Sequence, residues 1–518
     1  MKILLIYPQF PDTFWSFKHA IKFVGKKASN PPLGLITIAA MLPADWQVRL
    51  IDTNIEPLSD DAISSADLVF ISAMDVQRAS VRQITRKCKH LGARMVAGGP
   101  LFTGEYEDFP EVDHFVLNEG EITFPQFLAD WQAGKARRVY HTSEYADITQ
   151  SPLPRYDLLD LSAYDSMSLQ FTRGCPYNCD FCNVTALLGH QPRLKNANQI
   201  IAELDAIYQL GWRRNIFFVD DNFIGNKRAL KDEILPAIIH WRQGKTGCLF
   251  ITEASVNLAD DETLMDLMAE AGFINIFVGI ETPDESALQE CNKKQNSQRD
   301  LLASVHKMQA HGFQVMAGFI VGFDSDTESI FDRQFNFIQE SGIIAAMVGL
   351  LQAPFGTALY DRLKREGRIL KEMSGDNADG TTNIVPVMDP LILKTRYLDL
   401  LARLNDYPNF YARLEHFLDH YQPRKHPVTL QWAEIQAFLR SIVWIGMAAK
   451  GKREYWHLFI RTLRKYPAKF PVAITLTIYG YHFREIIEIN RKARLVKTQT
   501  PVPTLIYSRN PQKSESAP

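Results

Sequence analysis

The chain has 518 residues, with 57 Lys and Arg against 59 Asp and Glu for a formal net charge of −2, and 46% of its residues are apolar. Such a length holds roughly two to four domains with ample core, and the balanced charge argues against a dedicated nucleic-acid binder. No apolar run reaches the roughly 18 residues that a bilayer requires. Met1 and Lys2 lead straight into an apolar strand and leave no room for a secretory leader. The expected setting is therefore the reducing cytoplasm, with contact to a membrane surface as a further expectation. The isolated cysteines Cys88, Cys248 and Cys291 are expected to be buried and structural.

Over residues 1–145, short apolar strands at 2–7, 47–51, 68–72, 94–97 and 114–117 alternate with helical patterns such as 33–42 and 76–90. This alternation predicts a parallel, doubly wound α/β sheet, whose ligand sits beyond the carboxyl ends of the strands. The residues at those ends are Pro31-Pro32-Leu33-Gly34, Ser72-Ala73-Met74, Gly98-Gly99-Pro100 and Glu119-Gly120-Glu121. Glycines there let a bulky ligand approach the backbone, although any one of them alone reads as an ordinary turn.

Ser151-Pro-Leu-Pro154 marks a linker, and a second unit is expected over 150–372. Strands at 167–172, 215–219, 248–252, 275–279, 314–320 and 345–350 form six βα units and predict a partial (β/α)6 barrel. Polar residues follow these strands: Asp220-Asp221-Asn222, Glu253, Glu281, the stretch from Gly318 to Gly322, and Gln352. A solvated rim would also place polar residues there. Arg193 and Glu203, near the first helix, read as structural.

Off the end of the first of these strands hangs Cys175-Pro-Tyr-Asn-Cys179-Asp-Phe-Cys182. Thiolates are soft ligands that select iron–sulfur clusters, zinc or Cu(I). A cubane cluster has four irons, so three cysteines would leave one iron without a protein ligand. A disulfide with a spare thiol, or a zinc site completed by a residue such as His190, are the other readings of the same spacing.

Residues 373–518 read as a helical unit, with helices near 391–404, 409–420, 431–447 and 453–466 and a polar, disordered tail from Ser508. Between Lys450 and Lys497 there are twelve Lys or Arg against three Glu, interleaved with Tyr455, Trp456 and Phe459. This pattern suits a membrane surface or an anionic partner, and equally a solvated face over a helical core.

The spacing Cys-x3-Cys-x2-Cys, with Phe181 before its last cysteine, resembles the signature of the radical S-adenosylmethionine (SAM) superfamily. The resemblance implies a 4Fe-4S cluster on Cys175, Cys179 and Cys182, with SAM on the open iron and Phe181 beside its adenine. An electron from a donor such as flavodoxin or ferredoxin would split SAM into methionine and a 5'-deoxyadenosyl radical. Asp220, Asp221 and Asn222 occupy the place of the segment that binds the SAM amino group, with the usual Gly-Gly-Glu replaced. Glu253 and Glu281 would hold SAM polar groups or the ribose, and Gly318 begins a strand like the one that flanks the adenine.

Ser72-Ala73-Met74 and Gly98-Gly99 resemble the Ser-x-Leu element and Gly-Gly pair of the cobalamin-dependent branch. That implies cobalamin contacts at Pro32, Gly34, Ser72, Met74, Gly98, Gly99, Glu119 and Gly120. No Asp-x-His-x-x-Gly motif supplies a cobalt ligand, and His19 reads as a packing or surface residue. The third unit is similar to the C-terminal domain of unknown function in a subgroup that includes hopanoid C-2 methylases. The implied activity is methyl transfer to an unactivated carbon of a hydrophobic, lipid-like substrate, with cobalamin and SAM facing each other across one cavity. Cyclisation or oxidation without methyl transfer, and a non-catalytic metal-binding module, are the alternatives.

Overall fold

The computed structural model describes residues 1–499 except 371–372 and 428–429, with side chains described to 492. The tail expected from Ser508 lies outside the described residues. The first strand, Lys2–Tyr7 (β1), shows why a sheet forms here. Ile3, Leu4, Leu5 and Ile6 are all at most 2% exposed. Leu4 and Ile6 enter one core layer while Ile3 and Leu5 enter the other, so both faces are covered, as a parallel sheet requires. β1 pairs with Gln47–Asp52 (β2) and Leu68–Ser72 (β3), and the sheet continues through Met95–Gly98 (β4), His114–Val116 (β5) and Val139–Tyr140 (β6). The order is β2-β1-β3-β4-β5-β6, parallel throughout. β6 has only two residues, too few for alternation to register in the sequence.

The second sheet is the expected partial barrel, with one correction. The strand read over 167–172 splits into Met167–Leu169 (β7), which joins the barrel, and Thr172–Arg173 (β8), which leaves it to pair antiparallel with Arg193–Leu194 (β9). The cause is Asp220, 1% exposed, whose carboxylate accepts the backbone N–H groups of Phe171 and Thr172 and takes them from the ladder. The barrel continues with Ile216–Phe218 (β10), Phe250–Glu253 (β11), Phe273–Glu281 (β12), Gln314–Val321 (β13) and Ala346–Leu350 (β14), all parallel in that spatial order from β7.

Helices Pro390–Asn405, Tyr407–His420, Trp432–Ser441 (continuing through a π-turn over Ile442–Met447), Lys452–Lys465 and Phe470–Gln499 form the third unit. None of the described helices is long and apolar enough to cross a membrane. Their core contains Phe410, Leu414, Ile445, Leu458 and Phe483, together with Phe14 and Phe23 from the N-terminal aromatic loop. Phe14 stacks on Phe483 with ring centroids 4.1 Å apart. His19 lies in this seam, its ring beside that of His482, a packing position.

A buried ion cluster joins the first sheet to the barrel. Glu119 precedes and Glu121 begins the helix Gly120–Gln132. Arg173 reaches both carboxylates, Glu121 at 2.7 Å and Glu119 at 3.1 Å, and Arg193 pairs with Glu119 at 2.6 Å. Burial opposes ionisation of Glu121, but the Arg173 guanidinium prevails and holds it at about 2. Arg193 is thus structural, and so is Glu203, which is buried against Lys195 and Tyr156. Arg173→Met should destabilise the chain by about 3–5 kcal/mol, the cost of orphaning one side of a buried pair, read as a lower urea midpoint. The exposed Arg155–Asp157 pair should lose only about 0–1 kcal/mol in Arg155→Met. Equal losses in the two variants would show that the cluster does not hold the units together.

Candidate functional site

The cysteine loop is built on a glycine and a hairpin. Gly174 sits at φ +93°, and a Cβ there would lie 2.8 Å from the Gln191 carbonyl and 3.0 Å from that of Gly189, so no side chain fits this turn. The β8–β9 pair closes its base. Within the loop Cys175 N–H donates to Gly189 and Cys182 N–H to Cys179. All six cysteines are free, which corrects the disulfide reading; Cys88, Cys248 and Cys291 are buried, whereas Cys175, Cys179 and Cys182 are partly exposed.

Asn222 Nδ2 lies 3.8 Å from Cys175 Sγ and Gln295 Nε2 3.5 Å from Cys179 Sγ, so amide donors face two sulfurs. A donor set of three thiols on one loop fits a polynuclear cluster. Burial pushes the Cys182 thiol up to about 12, so its deprotonation calls for a metal ion at the sulfur.

Beside the loop lies an acidic cluster. Asp220 is occupied with the Phe171 and Thr172 amides and does not face the cavity described below, so it is a strap for the loop. Asn222 accepts from Ser255 and turns its amide toward Cys175. Burial raises Asp220 to about 8, with repulsion from Asp221 adding to it, and Asp221 to about 6. Glu253 rises to about 8 through burial and the nearby Asp221 and Asp220. Glu281, at φ +64°, is paired with Lys293 at 2.6 Å. Lys293 also stands 5.8 Å from the Phe181 ring centroid. Neither Lys293 nor Gln295 was singled out in the sequence; both lie in a loop without periodicity.

A cavity of about 760 Å³ lies where the carboxyl ends of the two sheets meet. From the first sheet it is lined by Gly34, Ser72, Met74, Gly98, Gly99, Glu119 and Gly120, and from the barrel side by Phe181, Cys182, Asp221, Glu281, Gly318 and Gln352. Cys175, Cys179, Asp220, Asn222, Glu253 and Pro32 are not among the residues lining it, and Pro32 caps the helix Leu33–Ala40. At Gly34 a Cβ would meet nothing within 4 Å, an open cradle toward a large ligand. At Gly99, φ +92°, a Cβ would lie 2.7 Å from Ser72 Oγ, which explains why the serine and the glycine pair occur together. No histidine is among the described lining residues. Met373, Gly375 and Asn377, placed with the helical unit by a boundary at 372, also line the cavity.

The match to known proteins follows this layout. The B12 binding domain matches residues 27–128, the Radical SAM superfamily residues 169–338, and a domain of unknown function, DUF4070, residues 357–494. An uncharacterized methyltransferase of Synechocystis sp. is 40% identical over 500 residues, 95% of this chain and 93% of that protein. The hopanoid C-2 methylase of Rhodopseudomonas palustris is 35% identical over 477 residues, 89% of each.

The chain is a cobalamin-dependent radical SAM methyltransferase.

Two solved structures share this enzyme's fold. The cobalamin-dependent S-adenosylmethionine radical enzyme OxsB with aqua-cobalamin bound superposes with a TM-score of 0.60 at 14% identity, covering 97% of this chain and 82% of that one. The radical S-adenosylmethionine methyltransferase TsrM from Kitasatospora setae, with cobalamin and a 4Fe-4S cluster bound, gives 0.59 at 13% identity, covering 95% and 99%. The methyltransferase accordingly uses a 4Fe-4S cluster, SAM and cobalamin, and the reading as a non-catalytic metal-binding module is set aside.

Without a bound cation, Asp220 and Glu253 hold their protons far above the ordinary 3.8 and 4.5. Folding then takes up protons, so their contribution to stability is full below about pH 4 and is lost as pH rises toward 8. The urea midpoint of the cofactor-free methyltransferase should fall between pH 5 and 8, and Glu253→Gln should flatten that fall and be the more stable form at pH 8. A midpoint for Glu253→Gln that tracks the wild type at every pH would show that Glu253 is not enclosed.

Proposed function

We propose that this methyltransferase transfers a methyl group to an unactivated carbon of a hydrophobic, polycyclic-lipid-like molecule that it meets at a membrane surface. The observation that carries the reading is the cavity wall. Much of its lining is apolar, with Leu33, Ile38, Val96, Val116, Leu187 and Leu188, and its described residues include no imidazole to deprotonate an oxygen, nitrogen or sulfur acceptor. The 35% identity to a hopanoid C-2 methylase supports a lipid as acceptor.

Cys175, Cys179 and Cys182 would hold the cluster, with Asn222 and Gln295 donating toward the sulfurs. Phe181, Asp221, Glu281 and Gly318 would face SAM, whose cationic groups suit the Asp221 and Glu253 carboxyls. Gly34, Ser72, Met74, Gly98, Gly99, Glu119 and Gly120 would face the corrin, with Pro32 setting the helix start behind it. With no lining histidine, cobalt would lack an imidazole ligand from this wall. When bound, these groups supply a carbon-centred radical and a transferable methyl. The chain's own part is to hold the acceptor within contact of both and keep water out. A flavodoxin or ferredoxin would deliver the electron.

The surface of the third unit supports the membrane part. Trp432, Leu439, Val443 and Met447 form one exposed stripe, and Trp456, Ile460 and Leu463 form another. Trp456 Nε1 donates to the Gly446 carbonyl and ties the two together. Lys450, Lys452, Arg453 and Arg464 are exposed around them. Aromatic and aliphatic side chains rimmed by cations suit an anionic bilayer surface.

Cys179→Ala should abolish SAM cleavage by reduced, reconstituted enzyme, and cleavage at the normal rate would refute the ligand assignment. Lipid extracts from cells with the gene should contain a species heavier by one CH2 than extracts without it, labelled when the methyl of methionine is deuterated. Label appearing only in a water-soluble product would exclude a lipid acceptor. The enzyme should also co-sediment with phosphatidylglycerol vesicles and lose that binding in the pair Leu439→Asp, Met447→Asp. Equal sedimentation of wild type and variant would remove the membrane role.

A further inference from the structure

Away from the cavity, the barrel helix Leu301–Ala310 packs against the helix Tyr407–His420 of the third unit, and the contact brings three imidazoles together. His416 and His420 are one turn apart on the same helix face, and His306 comes from the barrel. One ring nitrogen from each residue lies within 4.8 Å of the other two, and all three residues are half-buried. The His306 and His420 rings are 4.3 Å apart and nearly parallel, and those of His416 and His420 are 4.5 Å apart.

The hydrogen bonds sort the nitrogens. His306 Nε2 is 3.0 Å from the Glu340 carbonyl and His420 Nδ1 is 3.0 Å from the His416 carbonyl. A carbonyl only accepts, so both of these nitrogens carry the proton, and His306 Nδ1 and His420 Nε2 are left as lone-pair donors. His416 Nε2 is buried without any hydrogen-bond partner, an arrangement that costs about 1–3 kcal/mol for a polar atom left unmade.

We propose that His306, His416 and His420 bind a divalent transition-metal ion of the zinc type, which clamps the helical unit to the barrel. Three imidazole nitrogens suit zinc, copper or nickel rather than calcium or magnesium, which prefer oxygen. Two of the ring N–H groups already donate to backbone carbonyls, the usual support for a ligating histidine. The ion would satisfy the orphaned His416 nitrogen, and the ring of His306 or His420 would turn out of the parallel stack to aim its lone pair. A water would complete the ion's coordination, and the site is separate from the cysteine loop and independent of the substrate reading.

The test uses the full chain with Cys175, Cys179 and Cys182 all replaced by Ser, so that the thiols cannot take the metal. Titration of Zn2+ against a chromophoric chelator should give one ion per chain, and added Zn2+ should raise the Tm. His416→Ala and His306→Gln should each weaken binding by at least about 100-fold, since loss of even an outer-shell partner costs 10–100-fold, and should abolish the Tm shift. A stoichiometry of zero, or binding unchanged in both variants, would overturn the proposal. Should the substituted chains not fold, Co2+ added to the cluster-loaded wild-type enzyme serves instead. Visible bands without a sulfur-to-cobalt charge-transfer band support the histidine site, and no bands, or bands with that transition, overturn it.

Discussion

The buried ion cluster of Glu119 and Glu121 with Arg173 and Arg193 is the constraint on which the rest of the site depends. Its acids stand at the carboxyl end of β5, and Arg173 stands two residues before the first cluster cysteine. Taking four charges out of water is tolerable only when the geometry satisfies all of them. The two sheets are therefore held at the one orientation in which their carboxyl ends face each other. That orientation makes the cavity, since Ser72, Met74, Gly98, Gly99, Glu119 and Gly120, which line it from the first sheet, lie at or just beyond strand ends. Glu119, which its position at a strand end suggested as a ligand contact, is used on both of its oxygens for this pairing.

Within the cavity, charge is distributed unevenly. Glu281 is paired with Lys293, whereas Glu253, which is not among the lining residues, is pushed up to about 8 by burial and by the nearby Asp221 and Asp220. A carboxyl raised in this way becomes a good partner when a cation offsets the burial that holds it neutral. The first-sheet side carries Gly34, Gly98, Gly99 and Gly120, and at Gly34 a Cβ would meet nothing within 4 Å, which leaves room for a broad ligand.

Two seams, among other contacts such as Arg396 and Arg403 with Asp332, tie the helical unit to the rest. One is the aromatic loop, where Phe14 and Phe23 enter the helical core and Trp15 Nε1 donates to Met347 Sδ, 3.0 Å away at the cavity floor. The other is the face between helices Leu301–Ala310 and Tyr407–His420, where the three imidazoles meet. The stripes around Trp432 and Trp456 are left facing solvent.

Much of this was legible in the chain itself. The period of the apolar residues located β1–β5 and the six barrel strands, because a strand covered on both faces must be apolar along its length. The cysteine spacing pointed to a cluster, because three thiols so close in the chain reach one centre without help from the fold. The glycines at strand ends pointed to the first-sheet wall for the same local reason. What the sequence could not decide was which polar residues face the cavity and which are spent on the fold. Asp220 and Asp221 are neighbours with the same chemistry, yet one straps the backbone of Phe171 and Thr172 and the other lines the cavity. Lys293, Gln295 and the trio His306, His416 and His420 acquire their partners from residues distant in the chain. Local pattern reports burial and turn geometry, whereas the partner of a charge or a lone pair is chosen by tertiary packing.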